Sequence, residues 1–438
     1  MRNKNQFLHS VIISSLLVVS IIVSVVLTGF IFSSFGRSDI ADSANIQQPE
    51  QQTQLFRPTQ FIVNKTNGKQ FITLTGTGQQ SQVIDDAVSN SKMSQPETNK
   101  VTTSKVEDIL ATKKAHIFRY PDVIPVTYFN AKYGQSIKHN QPFNFDYFVL
   151  PFDQKKVAYF VNSQTNEVTK VRVAKFDFTK IWQKINNLPD DVPIRFKTYQ
   201  DRVILNYAKQ IKLPVYSYLI NQRDPKIYVS ALLGTINQLS VTQDGDKTVY
   251  TNKLNNQKLI YDPDWETVTF EDKNPKNKLP TDYLGRLNLA FSQINLLQLN
   301  LNDTRFYESR ESGQKLTFRT YVKGFPVYFQ SESGAIHIEM QKNGNQQATY
   351  SLNEIGVPVP NNSAQVTLPD TDTILNRLHD AGIKSSDYNF ITPGYEWLIN
   401  QDSQAAVNMV PTWMIETHDG WQSVDSYLKN KTVNDQSN

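Results

Sequence analysis

FLHSVIISSLLVVSIIVSVVLTGFIFSSF, residues 7–35, contains no Asp, Glu, Lys or Arg. At about 1.5 Å of rise per residue, roughly 20 apolar residues cross the hydrocarbon core of a bilayer. The stretch therefore reads as one membrane helix, followed by a long polar chain. Secretory signals have shorter apolar runs and a small-residue cleavage site. The nearest such site, Ser43-Ala44, follows Asp42 and fits poorly, so the expectation is an uncleaved anchor. Arg2 and Lys4 precede the helix without an acid, whereas Arg37 is followed by Asp39 and Asp42. Cations favour the cytoplasmic side, which places the N-terminus inside and residues 37–438 outside the cell membrane.

The helix has a polar side. At about 100° per residue, Ser10, Ser14, Leu17, Ser20, Ile21, Ser24 and Thr28 fall within a stripe roughly 120° wide. Small residues spaced by four let helices approach closely and hydrogen-bond in lipid. Serine and threonine also bond back to their own helix carbonyls. The stripe thus reads either as a partner-helix face or as ordinary tolerated hydroxyls.

Composition narrows the function. Without Arg2 and Lys4, 43 cations face 41 acids, so no basic field exists for nucleic acid. The chain has no cysteine, which removes disulfides, thiol catalysis and thiolate metal sites. An exported chain of this size without disulfides suggests a bacterial, and more specifically Gram-positive, source. Its hydrophobic fraction of 39% suffices for folded cores.

The pattern after the anchor is α+β. It predicts a cytoplasmic tip and membrane helix over 1–36, a linker over 37–60, and a first α+β domain over 61–205. A second domain spans 206–300, a third 301–428 and a polar tail 429–438. Phe61–Val63 and Ile72/Leu74 read as strands around an Asn67-Gly68 turn. Ser91–Thr102 reads as loop, and Ser104-Lys-Val-Glu107 as a capping box. Strands are expected at His116–Tyr120, Val123–Phe129, Phe143–Leu150, Val157–Val161 and Val168–Phe176, with Thr179 capping a helix. Asp224 with Pro225 opens one helix and Thr281 another, each ahead of a strand meander. In the second, Leu316, Phe318, Ile336 and Ile338 alternate with polar residues, giving one buried and one wet sheet face. Thr371 caps a last helix.

No catalytic signature appears. The sequence has no G-x-S-x-G, H-E-x-x-H, P-loop or EF-hand pattern, and its six histidines are scattered. Gly76-Thr-Gly78 lacks the third glycine of a dinucleotide loop. Asp262-Pro-Asp264-Trp-Glu266 is the densest acidic cluster, and between two strands it reads as a turn. Glu308 and Glu311 around Arg310 read as a solvated charge cluster. The expectation is therefore no catalytic, cofactor or metal residue.

Several segments resemble the YycH family. They are His116-Ile-Phe-Arg-Tyr-Pro-Asp-Val-Ile-Pro125, Lys258-Leu-Ile-Tyr-Asp262, Val322-Lys-Gly-Phe-Pro-Val327, and Gly394-Tyr395 with Val410-Pro-Thr-Trp-Met414. The resemblance implies three extracytoplasmic domains and a membrane-anchored, non-enzymatic regulator of the YycG (WalK) sensor histidine kinase, which controls cell-wall homeostasis. It also implies a YycI-like membrane partner and contacts largely through membrane helices. The competing expectation is a cell-surface enzyme or wall-ligand-binding protein with a pocket between domains.

Overall fold

The computed structural model describes residues 48–436, apart from 75–78, 139–141, 154, 190, 200, 236–238, 275–277, 300–303, 330–334, 360–363, 400–404 and 419. The anchor, its stripe from Ser10 to Thr28 and the Gly76-Thr-Gly78 loop lie outside the described residues. Among the described residues no helix is long and apolar enough to cross a membrane.

The first sheet contains β1 (Gln60–Asn64), β2 (Gln70–Ile72), β3 (Lys92–Lys100), β4 (Ala115–Pro125) and β5 (Asn144–Pro151). It is completed by β6 (Val157–Asn162), β7 (Glu167–Ala174), β8 (Val192–Tyr199) and β9 (Arg202–Tyr207). Their order is β3-β7-β6-β5-β4-β1-β2-β8-β9. The β1–β2 hairpin turns through Gly68, whose φ is +83°. A short pair, β10 (Ile211–Pro214) with β22 (Gln365–Leu368), lies apart.

The second sheet begins with β11 (Tyr216–Gln222) and two meanders. The first is β12 (Ser240–Asp244), β13 (Lys247–Asn252), β14 (Gln257–Asp262) and β15 (Thr267–Asp272). The second is β16 (Thr304–Arg310), β17 (Lys315–Val322), β19 (Ala335–Met340) and β20 (Gln346–Ser351), with β18 (Phe325–Tyr328) folding back from β17. The meanders join through their last strands, β15 against β20, at Val268↔Tyr350 and Phe270↔Ala348. Each is preceded by a helix, Pro225–Leu232 or Tyr283–Leu296. Tyr228 and Val229 of one helix and Leu287, Phe291 and Ile294 of the other share a core with Leu259, Val268, Phe270, Phe318, Ile338 and Tyr350. Both helices thus cover the same sheet face, the one carrying the alternating apolar residues. β21 (Asn353–Val359), β23 (Phe390–Ile399), β24 (Ala406–Thr417) and β25 (Gly420–Ser423) complete the sheet.

Several expectations are corrected. Ser91–Thr102 is mostly an edge strand, β3, paired with β7 around an irregularity between Ser94 and Glu97. Its side chains are largely polar, so no hydrophobic period marked it. Val123–Phe129 is the end of β4 followed by a helix, Val126–Tyr133, that starts after Pro125 and stops at Gly134 in the left-handed region. The helix caps sit at neighbouring residues. Thr102, Asp177, Asp282 and Asp370 accept the capping N–H, in place of Ser104, Thr179, Thr281 and Thr371. Glu107 instead accepts from the Thr198 N–H at 2.9 Å. Within 37–60, Gln48–Leu55 is helical, and Leu55 and Phe56 are buried. Beyond residue 429 the chain continues a helix, Val424–Gln436.

Candidate functional site

Three of the segments that carry the family resemblance, 116–125, 322–327 and 394–395 with 410–414, lie where the first sheet packs on the second, whereas 258–262 lies in the outer meander. In β4 the pairing to β5 shifts between Arg119 and Ile124, so Tyr120-Pro-Asp-Val leaves the regular ladder. This frees the Asp122 carboxylate to bond outward. It accepts N–H bonds from Val123 at 2.7 Å, from the Gln164 side chain at 2.5 Å and from Ser309 at 2.6 Å. Ser309 belongs to β16, so one buried carboxylate ties the two sheets. Burial pushes Asp122 up to about 7, against those three N–H bonds and with Asp146 and Glu308 nearby. Asp146, bonded to Ser163, is pushed up to about 6, again chiefly by burial.

Aromatic contacts surround this tie. The Tyr283 hydroxyl donates to the Val123 carbonyl at 2.7 Å, and Tyr128 donates to Asn288 at 3.0 Å. Phe56 stacks on Tyr128 at 4.1 Å and lies 5.4 Å from Phe306. Arg119 donates to Gln60 at 2.7 Å.

The Lys323-Gly324 turn docks here too. A Cβ at Gly324 would lie 2.5 Å from the Thr59 carbonyl oxygen, and its φ is +85°, so glycine alone fits without a shift. A Cβ at Gly394 would lie 2.5 Å from the Tyr328 ring. β18 then runs parallel to β23 at Val327↔Tyr395, and β23 pairs with β24 at Pro393↔Trp413. Trp413 donates to the Pro369 carbonyl at 3.0 Å and lies edge-on to Tyr207 of the first sheet at 5.8 Å. Tyr207 N–H donates to Thr371 at 2.9 Å, closing the far side.

The remaining expected sites resolve simply. Asp262 accepts N–H bonds from Asp264 and Trp265 and pairs with Lys247 at 2.7 Å, so the cluster is a turn. Arg310 is more than a solvated cluster member, because it pairs with both Glu308 and the buried Glu416. His337 is half-buried beside Thr317. Among the described residues no three His, Cys, Asp or Glu side chains group as a metal site. Sequence reading assigned no role to Asp122 or Arg319, since their partners lie far away in the chain.

Fold and junction define a strand-rich α+β protein whose buried charges lie between two sheets. The YycH protein N-terminal domain matches residues 10–190, and the YycH protein C-terminal domain matches residues 203–432. The chain belongs to the YycH family. Its fold matches the crystal structure of YycH from Bacillus subtilis, with a TM-score of 0.67 at 12% identity. That alignment covers 85% of this chain and 96% of that one. The Bacillus megaterium YpeB C-terminal domain aligns with a TM-score of 0.22 at 12% identity, over 43% of this chain and 83% of that one. No curated protein sequence matches.

Proposed function

We propose that the chain is a membrane-anchored, non-enzymatic regulator of a YycG-type sensor histidine kinase, acting beside a YycI-like membrane protein outside the cytoplasm. Family membership across both matched domains is the observation that carries this reading. The uncharged stretch 7–35 supports an anchor, and its hydroxyl stripe supports a helix–helix contact. Regulation then requires a two-state element in the kinase whose balance the contact biases. The two-sheet frame would hold the external domains in a fixed relation to one another.

The test exchanges residues 1–36 for an unrelated membrane helix and identifies co-purifying proteins from native membranes. Recovery of a histidine kinase and a YycI-like protein with the native helix alone supports contact in the bilayer. Recovery with both versions moves the contact to the external domains. Recovery with neither overturns the regulator reading. Ser24→Leu and Thr28→Leu should weaken recovery while the external domains stay folded; unchanged recovery removes the stripe.

A further inference from the structure

Arg319 on β17 lies opposite Arg305 on β16 in the strand register. Arg305 is 6% exposed and Arg319 is 5% exposed. Like charges directly across a strand pair repel, and each guanidinium brings five N–H donors that need acceptors. Arg305 donates to the Thr304 carbonyl at 2.6 Å. Arg319 is held between two tyrosine rings, its guanidinium carbon 5.0 Å from the centroid of Tyr307 and 4.7 Å from that of Tyr328. Its Nε is sealed from solvent and meets no acceptor. Glu308 on β16 and Glu416 on β24 pair with Arg310 instead. Among the described residues no carboxylate pairs with Arg319.

The flanking phenols do not neutralise it. Burial pushes the Tyr307 and Tyr328 hydroxyls well above their ordinary range, and the two bond to each other at 2.9 Å. Ring faces offset part of the cost of a buried cation, but they leave Nε–H without an acceptor. The large majority of buried polar groups in native proteins have partners, and Nε of Arg319 has none among the described residues. Partly exposed aromatic rings lie outside the box. Trp421, half-buried, packs 4.8 Å from Tyr328 and 6.0 Å from Tyr307, and Phe390, 41% exposed, lies 6.4 Å from Trp421.

We propose that Arg319 anchors an oxyanion-binding site, taking a carboxylate or phosphate group of a small ligand onto its guanidinium fork, with Tyr328 and Trp421 walling the ligand. A planar fork matches either oxyanion with two parallel hydrogen bonds. The competing explanation is ordered water on the same donors, which confers no affinity for anions.

The experiment titrates the full-length protein in detergent with sodium phosphate and, separately, sodium acetate. Ionic strength is held constant with sodium chloride, and binding is read by calorimetry and by tryptophan fluorescence. Saturable binding of either anion, weakened at least about tenfold in Arg319→Gln, supports the site. Saturation by phosphate alone assigns a phosphoryl ligand, and by acetate alone a carboxylate. Arg319→Lys keeps the charge without the fork and should also bind more weakly. A linear, unsaturable response in the native protein overturns the proposal whether or not the variants fold. So does equal affinity in a folded Arg319→Gln protein.

Discussion

Asp122 and Asp262 are both buried aspartates next to a proline, and their carboxyls shift in opposite directions. Asp122, at the junction of the sheets, receives three N–H bonds and, among the described residues, no ion pair, and burial pushes it up to about 7. At Asp262, on an outer hairpin, burial also works to raise the carboxyl. There the Lys247 ammonium at 2.7 Å and two turn N–H groups outweigh it, and the carboxyl falls below its ordinary value. Peptide dipoles alone do not replace lost water around a carboxylate, whereas dipoles plus a full opposite charge do. The junction is therefore where the fold holds charge at a cost.

The two sites make opposite demands on pH. Asp122 has a raised carboxyl, so its contribution is complete below the unfolded value of 3.8 and is lost as pH rises through about 7. The full swing is about 4 kcal/mol. Asp262 has a lowered carboxyl, so its contribution is present above 3.8 and lost as pH falls through its folded value. Urea unfolding of Asp122→Asn between pH 4 and 8 should show a smaller loss toward high pH than the native protein, with the Asp146 share remaining, whatever its absolute stability. Asp262→Asn, followed below about pH 4 where the native contribution disappears, should lack the loss toward low pH. Matching pH slopes in the two variants would break the comparison.

Two glycines sharpen it sterically. Gly324→Ala must move Thr59 or the turn, and with its left-handed φ should cost about 3 kcal/mol. Gly245, in the β12–β13 turn, also has positive φ, but nothing lies within 4 Å of where a Cβ would stand, so Gly245→Ala should cost about 1 kcal/mol. Equal unfolding midpoints for the two alanine variants would show that the turn does not dock tightly.

His116 adds a buried group without any partner. It lies at 0% exposure between Phe61 and Phe118, both ring nitrogens lack partners, and burial lowers it to about 3. The unfolded chain then binds the extra proton below about 6.5, and stability falls by about 2 kcal/mol between pH 7 and pH 5. Asp122 and Asp146, both raised, gain stability over the same interval, so the His116 loss offsets only part of their gain in the native protein. His116→Phe should steepen the rise in stability as pH falls from 7 to 5 in chemical unfolding; a slope no steeper than the native one would refute the assignment.

What was legible in the sequence was whatever repeats locally. The meander around Leu316, Phe318, Ile336 and Ile338 has a period of two, the Asp224-Pro225 cap is adjacent to its helix, and the Asp262 turn bonds within three residues. Neighbouring Asp and Thr residues both suit a cap, so composition alone left the first turn uncertain by one or two positions. The β3 edge pairs on one side and needs no apolar alternation. The junction was illegible for a different reason: Asp122 meets Ser309 across 187 positions, and Arg319 is conspicuous only once Tyr307, Tyr328 and the pairing of Arg310 are seen together.

The smallest expected effect isolates the single interaction that separates the two aspartates. Lys247→Met removes the ammonium from Asp262 but leaves its burial and its N–H bonds from Asp264 and Trp265. If charge outweighs burial there, the Asp262 carboxyl should titrate at higher pH in the variant, moving toward the behaviour of Asp122. Carboxyl carbon shifts followed by NMR against pH read this directly, and the fold should tolerate the change because Lys247 lies on the exposed side of the hairpin. An unmoved titration would mean that the turn dipoles suffice. The contrast would then lie in how deeply each carboxyl is desolvated, and the cation beside Asp262 would be incidental.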